Sequence, residues 1–236
     1  MAAIYSLYDE REIEPWKEAF LLYDKMLKLK AQKEKKEKAG KLLELDYWFQ
    51  NQLPQEINKR SEKFLTQEEL IKLMEWKLMR GKFRPRLTQL VQTNDSETVK
   101  EVTSKAFKCL PDIKQAINEL TKLKAVGPAT ASAILCAGSH KVPFMADESI
   151  QAIPGFGKIE YSLKFYLDYI EKIRSCLKHL HKEDPKGEWN EHKIELGLWT
   201  HAIGQKYAPE LFNRRSASKR KTEERESPHK SKKAKV

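Results

Sequence analysis

Leu123-Lys124-Ala125-Val126-Gly127-Pro128-Ala129-Thr130-Ala131, running on into Ser132-Ala133-Ile134-Leu135, is the stretch on which the fold turns. Before it, Ile113, Ala116, Ile117 and Leu120 fall at i, i+3, i+4 and i+7, the apolar stripe of an amphipathic helix. After it, Ala131, Ile134 and Leu135 keep the same period. Pro128 suits a first helical position, where no backbone donor is needed, and Gly127 allows the sharp turn before it. The chain from Ile113 to Asp147 therefore reads as helix, tight hairpin, helix, then a short loop, Val142-Pro143-Phe144-Met145-Ala146, ending on an acid.

A helix N-terminus offers unpaired N–H groups and the positive end of the macrodipole, so such a hairpin is suited to an anion such as phosphate. The arrangement resembles the helix-hairpin-helix of the DNA glycosylase superfamily, in which a Leu-x-Gly-hydrophobic-Gly hairpin grips the DNA backbone and an essential Asp follows on a short loop. The resemblance implies an all-α, multi-helix, glycosylase-like fold. It also implies a backbone grip formed by Lys124, Val126, Gly127, Ala129 and Thr130, and a catalytic role for Asp147, with Glu148 as its neighbour in the loop. A carboxylate there stabilises the oxocarbenium-like cation left as a base departs, and positions a water. Two positions depart from the family pattern: Ala125 stands at the first hairpin glycine, and Ala129 stands where lyase-active members carry a nucleophilic Lys. The implied chemistry is monofunctional base excision without a Schiff base. Asp147 also fits a plain helix N-cap.

The 236 residues are enough for a real core, and 40% are hydrophobic. No run approaches the length of a membrane span, and the start lacks the apolar segment of a signal peptide, so a cytosolic or nuclear protein is expected, without membrane association and as a monomer. Cys109, Cys136 and Cys176 lie in apolar helical patterns and read as reduced core residues. They are too few for the four-cysteine iron–sulfur cluster of some glycosylases, and the histidines show no metal-ligand spacing, so no cofactor or metal is expected. The net charge of +11 is concentrated at one end: residues 213–236 carry 10 Lys/Arg and 3 Glu, or +7, leaving +4 for the remainder.

Residues 1–14 read as a flexible arm and residues 15–212 as the helical domain. A first helix from Pro15 carries Trp16, Ala19, Phe20, Tyr23 and Leu27 on one face, with Gly40 as a break and Pro54 ending or kinking the next helix. Thr66-Gln67-Glu68-Glu69 is a capping box. The helix it opens closes in Glu75-Trp76-Lys77-Leu78-Met79-Arg80-Gly81-Lys82-Phe83-Arg84-Pro85-Arg86. There Lys77, Arg80, Lys82, Arg84 and Arg86 interleave with aromatic residues, as in a nucleic-acid groove. The same pattern fits a helix end whose cations complement the dipole, and Trp76 is core in either case. Together with the hairpin and acidic loop, this stretch resembles the Amun-type branch of glycosylase-like nuclear proteins. Ser96 is read as the cap of the helix that follows, and no strand-like alternation persists, giving about nine or ten helices.

Residues 213–236 read as a disordered basic tail whose Lys/Arg clusters suit the nuclear import machinery. The expected partner is double-stranded DNA, in the nucleus. A binding module that has lost the chemistry, and a helical protein–protein adaptor, fit the same residues.

Overall fold

The computed structural model describes residues 5–33 and 36–212. Twelve α-helices and one π-helical turn account for their regular structure: α1 (Ile13–Leu21), α2 (Tyr23–Ala31), α3 (Lys36–Tyr47), the π turn (Trp48–Gln52), α4 (Leu53–Lys59), α5 (Gln67–Arg80), α6 (Pro85–Val91), α7 (Ser96–Cys109), α8 (Ile113–Leu120), α9 (Pro128–Gly138), α10 (Asp147–Gln151), α11 (Leu163–Glu183) and α12 (Glu191–Tyr207). The all-α class agrees with the periodicity. The basic segment 213–236 lies outside the described residues.

Two apolar helices organise the packing. In α9 every residue from Ala129 to Gly138 is buried, and the helix meets α4, α5, α7, α8 and α11. Gly138 is required where α9 ends against α7, since a Cβ there would lie 2.2 Å from the Phe107 ring. The second organiser, α12, packs on α1, α2, α10 and α11. Its first turn is capped by Asn190, whose Oδ1 accepts from Lys193 N at 2.9 Å. The capping box forms as read: Glu69 N donates to Thr66 Oγ1 at 3.2 Å and Thr66 N to Glu69 Oε2 at 2.9 Å.

Several boundaries differ from the sequence reading, each for a local reason. The arm is not loose over residues 5–14, because Leu7 is buried in the core and Tyr5 meets the His201 ring edge-on. The first helix divides at Leu22, and Gly40 lies inside α3. Pro54 does not end the helical run, but the run is distorted just before it. The proline occupies a first-turn position of α4, where no N–H is needed, and the preceding π turn absorbs the change of register. Asp95, not Ser96, caps α7, accepting from Thr98 N at 2.9 Å.

Candidate nucleic-acid interface

The hairpin starts from α8, whose cap Asp112 accepts from Gln115 N at 2.9 Å. Leu123 and Val126 turn inward and are buried, which fixes the loop on the core. Between them Ala125 takes φ +64°, the left-handed region that glycine enters freely and alanine only with strain. That is the position where the sequence places alanine in a glycine slot, and the backbone has the glycine conformation regardless. Asn94 holds the turn from the side, accepting from Lys124 N at 2.8 Å and donating to Lys124 O at 3.1 Å.

Gly127 then caps α9 in an extended conformation, with open space where a Cβ would stand. Of the hairpin residues proposed as the backbone grip, Lys124 and Gly127 face outward. Val126, Ala129 and Thr130 do not: their side chains are buried, and the Thr130 N–H already bonds Gly127 O at 3.0 Å. Any grip is therefore made by the exposed Gly127 backbone at the open start of α9, with Lys124 beside it.

The acidic loop is pinned by its neighbours. Residues 142–146 are all buried; Ser132 Oγ in α9 accepts from Met145 N at 2.9 Å, and Tyr166 OH donates to Pro143 O at 2.8 Å. Ser149 and Tyr169 hydroxyls, 2.7 Å apart, tie down the helix that follows. Asp147 is the first residue of α10, and the cap position belongs to Ala146, which has no side-chain cap bond. Asp147 is therefore not the N-cap. Its Oδ2 accepts from Tyr161 OH at 2.7 Å. Burial pushes the Tyr161 phenol above its usual range, and this hydrogen bond adds to the effect.

Asp147 and Glu148 share their cleft with part of the basic segment. Lys77, Arg84, Phe144 and Tyr161 border a cavity of about 40 Å³ beside the carboxylate. The Arg84 guanidinium lies 5.3 Å from the Tyr161 ring centre. Burial brings the Lys77 ammonium down to about 8, with Asp147 opposing the shift and Arg84 adding to it. Glu148, on the same lining, also faces Lys30, its Oε1 lying 3.6 Å from Lys30 Nζ. Lys82, Arg84 and Arg86 are exposed, and Phe83 beside them is 65% exposed. The chain then runs along α6 to Thr93, whose carbonyl accepts from Lys124 Nζ at 3.4 Å. One short helix thus separates the basic segment from the hairpin, a span of about 10 Å at 1.5 Å per residue.

Arg80 departs from the sequence reading. It is 1% exposed and serves the core, not a groove. Its Nη2 lies 3.1 Å from Glu195 Oε1, its Nε donates to Tyr23 OH at 3.2 Å, and its guanidinium sits 4.4 Å from the Trp199 ring centre. Tyr23 OH and Trp76 Nε1 both donate to Asp46 Oδ1, at 2.9 and 2.8 Å. On the far side of Glu195, His192 Nδ1 lies 3.5 Å from its Oε2 and 3.2 Å from Cys136 Sγ, while His192 Nε2 meets Gln50 Oε1 at 2.7 Å. Tyr23, Trp76 and Cys136 read as core residues in the sequence, but their pairing with Arg80, Asp46, Glu195, Gln50 and His192 does not show there, because the chain scatters these partners over α2, α3, the π turn, α5, α9 and α12.

No family model, curated protein or solved structure matches the chain. Among the described residues no group of His, Cys, Asp and Glu side chains has the geometry of a metal site, and no helix is long and apolar enough to cross a membrane.

Proposed function

We propose that this protein binds duplex DNA through its helix-hairpin-helix, in a glycosylase-like architecture, and acts in the nucleus. The observation that carries the reading is the hairpin backbone. Ala125 adopts a left-handed conformation at the glycine position of a phosphate-gripping turn, and Gly127 leaves the start of α9 open to an approaching anion. Lys124 and the exposed Lys82, Arg84 and Arg86 supply further contacts to phosphates, which set affinity without reading sequence. The Lys/Arg clusters within residues 213–236 support nuclear import and nonspecific DNA affinity.

Within that reading Asp147 is the candidate carboxylate for monofunctional N-glycosidic cleavage. A base extruded from the duplex would lie against it, and the carboxylate would stabilise the developing sugar cation. Ala129 offers no amine for a Schiff base. One observation favours DNA binding without excision. The cavity beside Asp147 holds about 40 Å³, scarcely more than one water's share of liquid volume and far less than a nucleobase. Excision therefore requires Tyr161 and Arg84 to move away from the carboxylate.

The test is equilibrium binding of the full-length protein to undamaged, mismatched and abasic-analogue duplexes at several salt concentrations, beside Gly127→Val and Lys124→Glu variants of the same length. The basic tail is then common to every sample. Expected are a weaker, less salt-dependent affinity in the variants and a preference for the abasic duplex that survives raised salt. Equal binding by wild type and both variants would remove the hairpin from the interface. Release of a free base by wild type and none by Asp147→Asn, with binding retained, would establish the enzyme.

A further inference from the structure

A second, roomier cavity lies on neither the hairpin nor the Asp147 cleft. It opens between α1, α2, α3 and the start of α12, holds about 610 Å³, and shares no lining residue with the small cavity beside Asp147. Its walls are Leu27, Leu43 and Leu196. Its mouth carries two large exposed apolar side chains, Tyr47 at 61% and Leu21 at 80% exposure. Its floor is the polar network of Tyr23, Asp46, Gln50 and His192.

Three features of this floor point to a ligand. First, the charges behind it are already matched: Arg80 pairs with Glu195, and His192 lies between Glu195, Cys136 and Gln50. The floor network therefore presents fixed dipoles, while the charged lining residues Asp24, Lys28 and Lys193 stand outside it. Second, the lining carries amide side chains, Gln50, Asn51 and Asn190, whose remaining donors and acceptors are open to solvent and so available to a ligand. Asn51 donates to Tyr47 O and keeps its Oδ1. Asn190 accepts from Lys193 N and keeps its Nδ2, and Gln50 uses one amide hydrogen on Tyr23. Third, Gln50 and Asn51 sit on the π turn, a distortion of the α3–α4 register that is frequent at functional sites.

A cavity with an aromatic ring at its mouth, and amide donors and acceptors along one side, matches a planar nitrogen heterocycle with a donor–acceptor edge. A purely apolar ligand would strand these amides and the charged Asp24, Lys28 and Lys193 of the same lining. We propose that this cavity binds a nucleobase, its edge read by Gln50, Asn51 and Asn190 and its face covered by Tyr47. Its volume suits a nucleoside. The base comes either from a free nucleoside or from an unpaired position of a nucleic-acid strand.

The test is isothermal titration calorimetry of the full-length protein with adenosine, guanosine, cytidine and thymidine, with a single-stranded oligonucleotide in a parallel arm, repeated on Tyr47→Ala and Asn51→Leu. Both variants alter exposed side chains, so their unchanged melting temperatures are checked first. Expected is binding of at least one nucleoside at submillimolar concentration, weakened tenfold or more in each variant. Oligonucleotide binding alone, weakened to the same degree by both variants, equally supports the site and assigns it to a strand. No heat in any arm, or binding that the variants leave unchanged, overturns the proposal. The Asp147 cleft and hairpin are untouched by these variants, so the DNA-binding reading stands or falls separately.

Discussion

Tyr161 reaches back over the start of α10 and donates its phenol hydrogen to Asp147 Oδ2 at 2.7 Å. Both side chains are partly open to solvent, and Asp147 caps no helix, so this contact does little for the fold. Asp147→Ala should change the unfolding free energy by less than about 1 kcal/mol, since a partly exposed hydrogen bond is readily replaced by water. Urea denaturation checks this. A loss well above 2 kcal/mol would make Asp147 a structural residue and end its candidacy as a site carboxylate.

Ala125 is the opposite case, a residue that strains the backbone it occupies. Its left-handed φ costs an L residue roughly 1–2 kcal/mol, from which a glycine's extra unfolded-state entropy subtracts about 0.4–1 kcal/mol. Ala125→Gly is therefore expected to stabilise the protein by up to about 1.6 kcal/mol. It should also tighten DNA binding, by letting a phosphate approach more closely. Thermal melts and the salt-dependent binding assay measure the two effects. Destabilisation would mean that the alanine methyl makes packing contacts that outweigh the strain.

Much of this hairpin was legible in the sequence, because Gly-Pro punctuates the chain at a helix start and the stripe Ile113, Ala116, Ile117 and Leu120 has one reading. The capping box at Thr66 was legible for the same reason, since its chemistry is local. What the sequence hid was pairing at a distance. Arg80 next to Gly81 looks like a cation complementing a helix end, yet it falls seven residues after Leu73 and four after Trp76, on the buried face. That register was the available signal. Its acceptors Tyr23 and Glu195 lie 57 residues before and 115 after, where no local pattern announces them. The large cavity was hidden likewise, because it is assembled from α1, α2, α3 and α12 and its polar residues belong to no spacing motif.

The Arg80–Glu195 pair carries a prediction about breaking charge balance. Both side chains are essentially inaccessible, and Glu195 also faces His192. Glu195→Leu leaves His192 without its carboxylate and Arg80 with only Asp46, 3.9 Å away, and should destabilise the protein by about 3–5 kcal/mol, the range for removing one partner of a buried ion pair. Replacing Arg80 and Glu195 together by Met and Leu should recover much of that loss. A double-mutant cycle in urea measures the coupling. Additive effects would mean the two groups do not interact in the folded state.

Lys77 makes the cleft sensitive to pH. Burial lowers its folded-state value to about 8, below the ordinary lysine range, so the folded protein gives up this proton before the unfolded chain does. Stability from this group therefore rises as pH climbs from about 8 towards the free-lysine value, while the positive charge in the cleft is lost over the same range. DNA affinity at fixed salt should fall between pH 7 and 9 in wild type, and should be flatter in Lys77→Met. Parallel pH profiles for the two proteins would exclude Lys77 from the interface.

Two buried histidines should tilt stability in opposite directions. Burial lowers His201 to about 4; its Nε2 lies 3.2 Å from Tyr5 O, a contact too weak to offset burial. The unfolded chain protonates this imidazole near the ordinary value of about 6.5 and the folded protein only near 4, so stability is lost as pH falls through that window. His192 behaves in reverse. Burial opposes its charge, but Cys136 and Glu195 beside Nδ1 prevail and raise it to about 10. Its contribution is complete below about pH 6.5 and disappears as pH rises towards 10. Measured unfolding free energies should rise from pH 4 to about 6.5 and fall from there to about 8, above which the gain from Lys77 opposes the loss from His192. His201→Phe should flatten the acid limb alone, and His192→Gln the alkaline limb alone. An unchanged alkaline limb in His192→Gln would place the imidazole uncharged between Glu195 and Gln50, and would remove the positive member from the network beneath the large cavity.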